Sequence, residues 1–174
     1  MKFIPTKLAG AYIIELEPIR DDRGFFGRSY CHQEFAQHGL NPRLVQCNIS
    51  FNNQRGIIRG MHYQVAPHAE TKLVRCTQGS IYDVIIDLRP DSVTFKQWVS
   101  VELTAENRRS VYIPEGFAHG FQTLTTVTEV FYQMSEFYHP ESARGVRWND
   151  SAFAIDWVLD PVMISEKDQT YPNF

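Results

Sequence analysis

Apolar residues in this 174-residue chain come in short runs, most of them alternating with polar positions. The clearest are AYIIELEPI (11–19), LVQCNISF (44–51), GIIRGMHY (56–63), TKLVRCTQGSIYDVIIDLRP (71–90), WVSVELTA (98–105), SVYIPEGFAHGFQTL (110–124) and TEVFYQMSEFY (128–138). Each is rich in β-branched and aromatic residues and bounded by Gly, Pro, Asn or Asp, which predicts strands. Turn signals recur about every 8–14 residues, the cadence of a sandwich or barrel. Helical signals are few. EFAQHG (34–39) predicts one turn of helix closed by Gly39. ISEKDQ (164–169) predicts another, with Ser165 and Asp168 in capping-box spacing. There is no repeat, low-complexity stretch or long linker. The expected architecture is one all-β domain over residues 1–174, an antiparallel jelly roll with a few short helices.

Composition narrows the function classes. Hydrophobic residues make up 43% of the chain, enough for a sizeable core at this length. The formal net charge is -3 with no basic block, so nucleic acid is not an expected partner. The N-terminus carries Pro5 and only a short apolar run before Glu15, unlike a signal peptide, and no run reaches membrane-span length. The cysteines, Cys31, Cys47 and Cys76, are odd in number and form no C-x-x-C motif. Buried, reduced thiols in a cytoplasmic protein are the expectation.

A jelly roll encloses a cavity, and polar side chains that point into it need a reason. Alternation puts Gln46, Asn48 and Ser50 on one face of their strand, which is either a cavity lining or a solvated outer face. Lys72 shares a face with Val74 and Cys76; it is either a cavity group or an edge lysine that blocks aggregation. Strict alternation separates Arg59 from His62. Gly60 lies between them, and a bulge there would bring both to one side. Asp83 and Asp87 share a face in a strongly apolar strand and require partners; His119 is a candidate for Asp83. P-x-G-x-x-H (114–119) reads as a turn that delivers His119 into a barrel mouth. Tyr132 and Tyr138 share a face and would stand about 20 Å apart on a straight strand, able to serve two ends of one ligand.

Taken together, DDRGFF (21–26), QCNISFN (46–52), GIIRGMHYQ (56–64), KLVRCTQGSIYDVIIDLRPDS (72–92), IPEGFAHGF (113–121), VRWND (146–150) and SEKD (165–168) resemble the dTDP-4-dehydrorhamnose 3,5-epimerase family in order and content. The resemblance covers roughly residues 15–172. It implies a cupin-like jelly roll, usually a homodimer that exchanges N-terminal strands, acting without cofactor or metal on a nucleotide-diphosphate 4-keto-6-deoxy sugar. Position by position it implies that His62 is the general base, Asp168 its carboxylate partner, Tyr132 the proton donor and Lys72 the cation at the substrate's O4. Arg23, Phe26, Gln46, Asn48, Arg59, His119, Tyr138 and Lys167 fall on substrate-contact positions, with Tyr138 stacking on the base. Arg28 occupies a contact position where the family often has glutamate, and Ala143 stands where a second glutamate is common. Both lie toward the nucleotide end, so CDP- and GDP-sugars stay open beside dTDP.

The implied chemistry is demanding. Protons on C3 and C5 of a 4-keto sugar are α to the carbonyl, and removing one leaves an enolate with its charge mainly on O4. A preorganised ammonium can hold that charge in a dry cavity. An imidazole, with an ordinary pKa of about 6.5, is partly neutral near pH 7 and suits the base. Which carbon is inverted is not legible.

Two other readings compete. A metal-dependent cupin oxygenase or isomerase could recruit His62, His68, Glu70 and His119, although Gln64 stands where an H-x-H motif needs its second histidine. A non-catalytic sugar-nucleotide-binding jelly roll would need the fold but not His62, Lys72 and Tyr132 together.

Overall fold

The computed structural model describes residues 1–174. In chain order it comprises β1 (Lys2–Pro5), β2 (Tyr12–Glu15), β3 (Ile19–Asp21), β4 (Gly24–Phe26), α1 (His32–Gln37), β5 (Gln46–Asn52), β6 (Ile57–Gln64) and β7 (Lys72–Gln78). There follow β8 (Ser80–Asp87), β9 (Trp98–Thr104), β10 (Ser110–Ile113), β11 (Phe117–Thr123), β12 (Thr128–Met134), β13 (Ala143–Gly145), β14 (Met163–Ile164) and α2 (Glu166–Thr170). The all-β expectation holds, and every predicted strand run contains a strand. No helix is long and apolar enough to cross a membrane.

Two sheets face each other. The first runs β1-β2-β10-β7-β12-β5; the second runs β13-β6-β11-β8-β9, with β14 added alongside β6. All pairings are antiparallel except β14 with β6. The main core lies between them, with Val74 and Cys76 of β7, Ile81 and Ile85 of β8, Val111 and Ile113 of β10, and Phe117 and Phe121 of β11. Each such side chain contributes about 1.5–3 kcal/mol when fully buried. The alternate residues of β8, Val84 and Ile86, are also buried, under Val146 and Phe153 of the segment that follows β13. Both faces of β8 are therefore covered, and that is why it reads as a nearly continuous apolar run.

The cluster fills only one end of the sandwich. At the other end, polar side chains of β5, β6, β7 and β12 converge. The strand β5 departs from the usual rule: Gln46, Asn48 and Ser50 line the cavity, while the alternate apolar residues Ile49 and Phe51, at the cavity's edge, are 64% and 55% exposed. The cysteines differ from expectation in one respect: Cys76 is buried and Cys31 half-buried, but Cys47 is exposed, because it sits on the same face of β5 as Ile49 and Phe51. The run TEVFYQMSEFY also departs from expectation. Its strand ends at Met134 and the chain turns, so Tyr132 and Tyr138 do not lie along one straight strand.

Candidate active site

The bulge expected at Gly60 is present. His119 of β11 pairs with His62 of β6, but Phe121 pairs with Arg59, so one residue of β11 opposes two of β6. The extra residue turns Arg59 and His62 to the same side, and both line the cavity. Gly60 has φ +127°, and a Cβ there would meet Gly120 Cα at 2.5 Å and the His119 carbonyl at 2.8 Å. Both obstacles are backbone, so only glycine lets β6 and β11 approach this closely.

The cavity holds about 600 Å³. His62, Arg59 and His119 enter it from the second sheet; Lys72, Tyr132, Gln46 and Asn48 enter from the first. His62 Nε2 lies 2.7 Å from Asp168 Oδ1, and Asp168 Oδ2 accepts the Gly60 N–H at 3.1 Å. A carboxylate only accepts, so Nε2 carries the proton and Nδ1 is left as the acceptor. The helix-cap reading of Asp168 also holds: its backbone N–H donates to Ser165 Oγ at 3.2 Å. One residue starts α2 with its main chain and orients an imidazole with its side chain. Lys72 Nζ donates to the main-chain carbonyl of His62 at 3.1 Å, and Lys72 and His62 line the same cavity.

A second imidazole–carboxylate pair lies deeper. His119 Nε2 is 2.7 Å from Asp83 Oδ1, both groups are almost fully buried, and the Tyr132 ring stands edge-on to His119 at 6.0 Å. The expected pairing of Asp83 with His119 is therefore present.

The family model described as dTDP-4-dehydrorhamnose 3,5-epimerase matches residues 5–174. The chain belongs to the dTDP-4-dehydrorhamnose 3,5-epimerase family. It is 45% identical over 173 residues to the dTDP-4-dehydrorhamnose 3,5-epimerase of Methanothermobacter thermautotrophicus, covering 98% of this chain and 92% of that protein. It resembles the crystal structure of the Bacillus anthracis dTDP-4-dehydrorhamnose 3,5-epimerase with TDP and pyrophosphate bound, at TM-score 0.95 and 44% identity, over 99% of each chain. It also resembles a 3'-monoepimerase from Streptomyces bikiniensis in complex with dTDP-quinovose, at TM-score 0.89 and 29% identity, over 98% of this chain and 86% of that one.

Electrostatics in this epimerase-family site separate two acids. Burial raises the Asp168 carboxyl, but the His62 hydrogen bond and charge outweigh it, helped by the Gly60 N–H, and hold it below its ordinary range. Burial, reinforced by the Asp83 carboxylate, pushes the Tyr132 phenol well above its ordinary value. Near neutral pH the first is an anion and the second keeps its proton.

Ten of the expected site residues line the cavity: His62, Lys72, Tyr132, Asp168, Gln46, Asn48, Arg59, His119, Tyr138 and Lys167. Three do not reach it. Arg23 and Phe26 lie on the exposed β3–β4 hairpin, where Arg23 pairs with Asp21 at 2.6 Å. Arg28 pairs with Glu34 of α1 at 2.7 Å. His62 and His119, ligand candidates for a metal cupin, each point Nε2 at a separate carboxylate. The one group of three close His, Cys, Asp or Glu donors is His68, His139 and Glu141.

Sequence reasoning missed Tyr171, Arg144, Glu70 as a cavity group, and Gln64. Tyr171 lies edge-on to His62 at 6.0 Å, packed on Gly145. Gln64 donates to the Phe137 carbonyl at 3.1 Å and accepts the His139 N–H at 2.7 Å, while Gln46 accepts the Tyr138 N–H at 3.1 Å. Two glutamines thus hold the turn that presents Tyr138. The available signal was a buried-looking strand ending in an amide, since a buried amide must find partners.

Proposed function

We propose that this chain epimerises a nucleotide-diphosphate 4-keto-6-deoxy sugar at C3, C5 or both, by cofactor-independent proton abstraction, in deoxysugar biosynthesis. The observation that carries the reading is that His62 and Lys72 line one cavity, with Nζ 3.1 Å from the His62 main-chain carbonyl. His62 Nδ1 takes the proton from carbon. The C–H electron pair enters the enolate, and the charge on O4 is held by a Lys72 N–H. Tyr132 then gives its phenolic proton to the same carbon as the carbonyl re-forms. The base stands on the second sheet and the acid on the first, so a sugar lying between them loses hydrogen to one side and regains it from the other. That arrangement produces inversion. The imidazolium and phenolate return to their starting forms by proton exchange through the cavity mouth.

The dTDP form is the first choice of substrate, supported by the names of the relatives. Arg28 and Ala143 leave the nucleotide end without the carboxylates common in the family, and CDP- and GDP-sugars are the alternatives to test. Incubation of each 4-keto-6-deoxy sugar nucleotide in heavy water, read by NMR, reports base preference and the exchanged carbon together. Deuterium entering none of the three sugars refutes the reading; binding without exchange would point instead to a sugar-nucleotide-binding jelly roll.

We further infer a cytoplasmic homodimer. Edge strand β5 and the β3–β4 hairpin expose Ile49, Phe51, Ile19 and Phe26, apolar area of the kind a partner covers. The free cysteines fit a reducing compartment. In the dimer the hairpin carries Arg23, Phe26 and Arg28 toward the partner's cavity. Light scattering measures the assembly directly, and a monomer that retains full activity contradicts it.

A further inference from the structure

Glu70 brings a carboxylate into the cavity, two residues before Lys72 and on the same side of the extended chain. Its Oε1 lies 3.2 Å from Lys72 Nζ, with the two side chains 10% and 12% exposed. A carboxylate removed from water is costly unless paired, and Lys72 pairs this one; Gln64 Nε2, whose two N–H groups reach the His68 and Phe137 carbonyls at 2.9 and 3.1 Å, lies 3.4 Å from the other Glu70 oxygen. Thr71, between Glu70 and Lys72, is locked to the next strand by two bonds. Its N–H donates to Ser135 Oγ at 2.8 Å and its carbonyl accepts the Ser135 N–H at 3.1 Å. The carboxylate is thus held by its locked backbone and by its ion pair with Lys72.

An ammonium has three donors in fixed tetrahedral directions. One goes to the His62 carbonyl at 3.1 Å and a second to Glu70. We propose that Glu70 is a positioning residue for the oxyanion donor: by engaging the second N–H of Lys72 it leaves the third, and only the third, directed at the ligand oxygen. The inference rests on the role proposed above for Lys72. Without Glu70 the lysine stem regains rotational freedom, and a donor displaced by an ångström loses most of its preorganised effect. Glu70 acts through orientation and does not touch the sugar.

Two replacements separate orientation from charge. Glu70→Gln keeps an acceptor oxygen at the same reach and removes the charge; Glu70→Ala removes both. The expected result is kcat for Glu70→Gln within about threefold of the unaltered enzyme, and a loss of roughly 30- to 100-fold for Glu70→Ala with KM within about threefold. Added to Lys72→Met, Glu70→Ala is expected to cost nothing further, because its only route to the reaction is already gone. Equal impairment of Gln and Ala variants overturns the proposal, as does a Glu70→Ala variant with normal kcat. A double variant worse than Lys72→Met alone overturns it too. Lys72→Met itself guards the underlying reading: if it exchanges substrate hydrogen at the normal rate, the role of Lys72 fails. If it is inactive while Glu70→Ala is normal, only the role of Glu70 fails.

Discussion

Asp168 meets His62 across 106 residues of sequence, Oδ1 to Nε2, at 2.7 Å. Its second oxygen holds the Gly60 N–H, so one carboxylate fixes both the imidazole and the bulge that aims it. Asp168→Asn keeps the volume but offers His62 an N–H as readily as an oxygen. The ring can then turn its protonated nitrogen toward the substrate, in the wrong tautomer for a base. We predict a kcat loss on the order of 10³ with KM little changed and the fold retained, measured by steady-state kinetics beside thermal melting. A loss under tenfold would mean that the tautomer is set elsewhere.

Tyr132 is held protonated by burial and by Asp83. On the proposed mechanism, Tyr132→Phe removes the proton donor and leaves base and cation in place. The variant is expected to keep most of its hydrogen exchange while losing inversion, by about 10²- to 10⁴-fold. Comparing deuterium content with stereochemistry in one NMR experiment separates the two. In the unaltered enzyme, the raised phenol predicts that activity does not fall from ionisation of Tyr132 at pH 9–10, near the ordinary tyrosine value. Equal, mild effects on exchange and inversion would remove Tyr132 from the donor role.

Away from the cavity, Asp87 links β8 to the following loop. It accepts from the Arg89 side chain at 2.7 and 2.8 Å, from Ser92 and from Thr94. Burial raises this carboxyl, but those hydrogen bonds outweigh it and bring it down to about 2. A carboxyl lowered in the folded state stabilises the fold above its unfolded pKa, near 4. That contribution, about 2 kcal/mol, is lost as pH falls from about 4 toward 2. Asp87→Asn should therefore unfold at lower denaturant concentration at pH 7, with the difference from the unaltered protein narrowing by pH 2–3. A constant difference across that range would contradict the linkage.

The strands were legible because β-branched alternation and Gly/Pro boundaries survive in nearly every run. The bulge that unites Arg59 and His62 was legible from one glycine inside a strand. Gly39 likewise ends α1 as expected, with φ +70° just beyond the helix. What alternation cannot carry is the pairing of strands distant in sequence. The β2–β10 pairing and the addition of β14 to β6 follow from packing of the whole chain. For the same reason the contact of Glu70 with Lys72 was out of reach: adjacency on one face is readable, but whether that face is wet or enclosed is not. Asp168 showed the reverse ambiguity. Its spacing pointed to a helix cap and its resemblance to a histidine partner, and its main chain and side chain do one each. Arg23, Phe26 and Arg28 stay outside the cavity, because they sit on or just after the exposed β3–β4 hairpin, and periodicity does not say where a hairpin packs.

The central claim is that His62 draws a proton from carbon beside the Lys72 cation. It is tested most directly by the rate of deuterium entry at C3 and C5 of dTDP-4-keto-6-deoxyglucose in heavy water, for the unaltered protein and for His62→Ala. The account predicts entry at one or both carbons with the unaltered protein, and a loss of roughly a thousandfold at every exchanging carbon in the variant. Exchange by His62→Ala at the unaltered rate would contradict it.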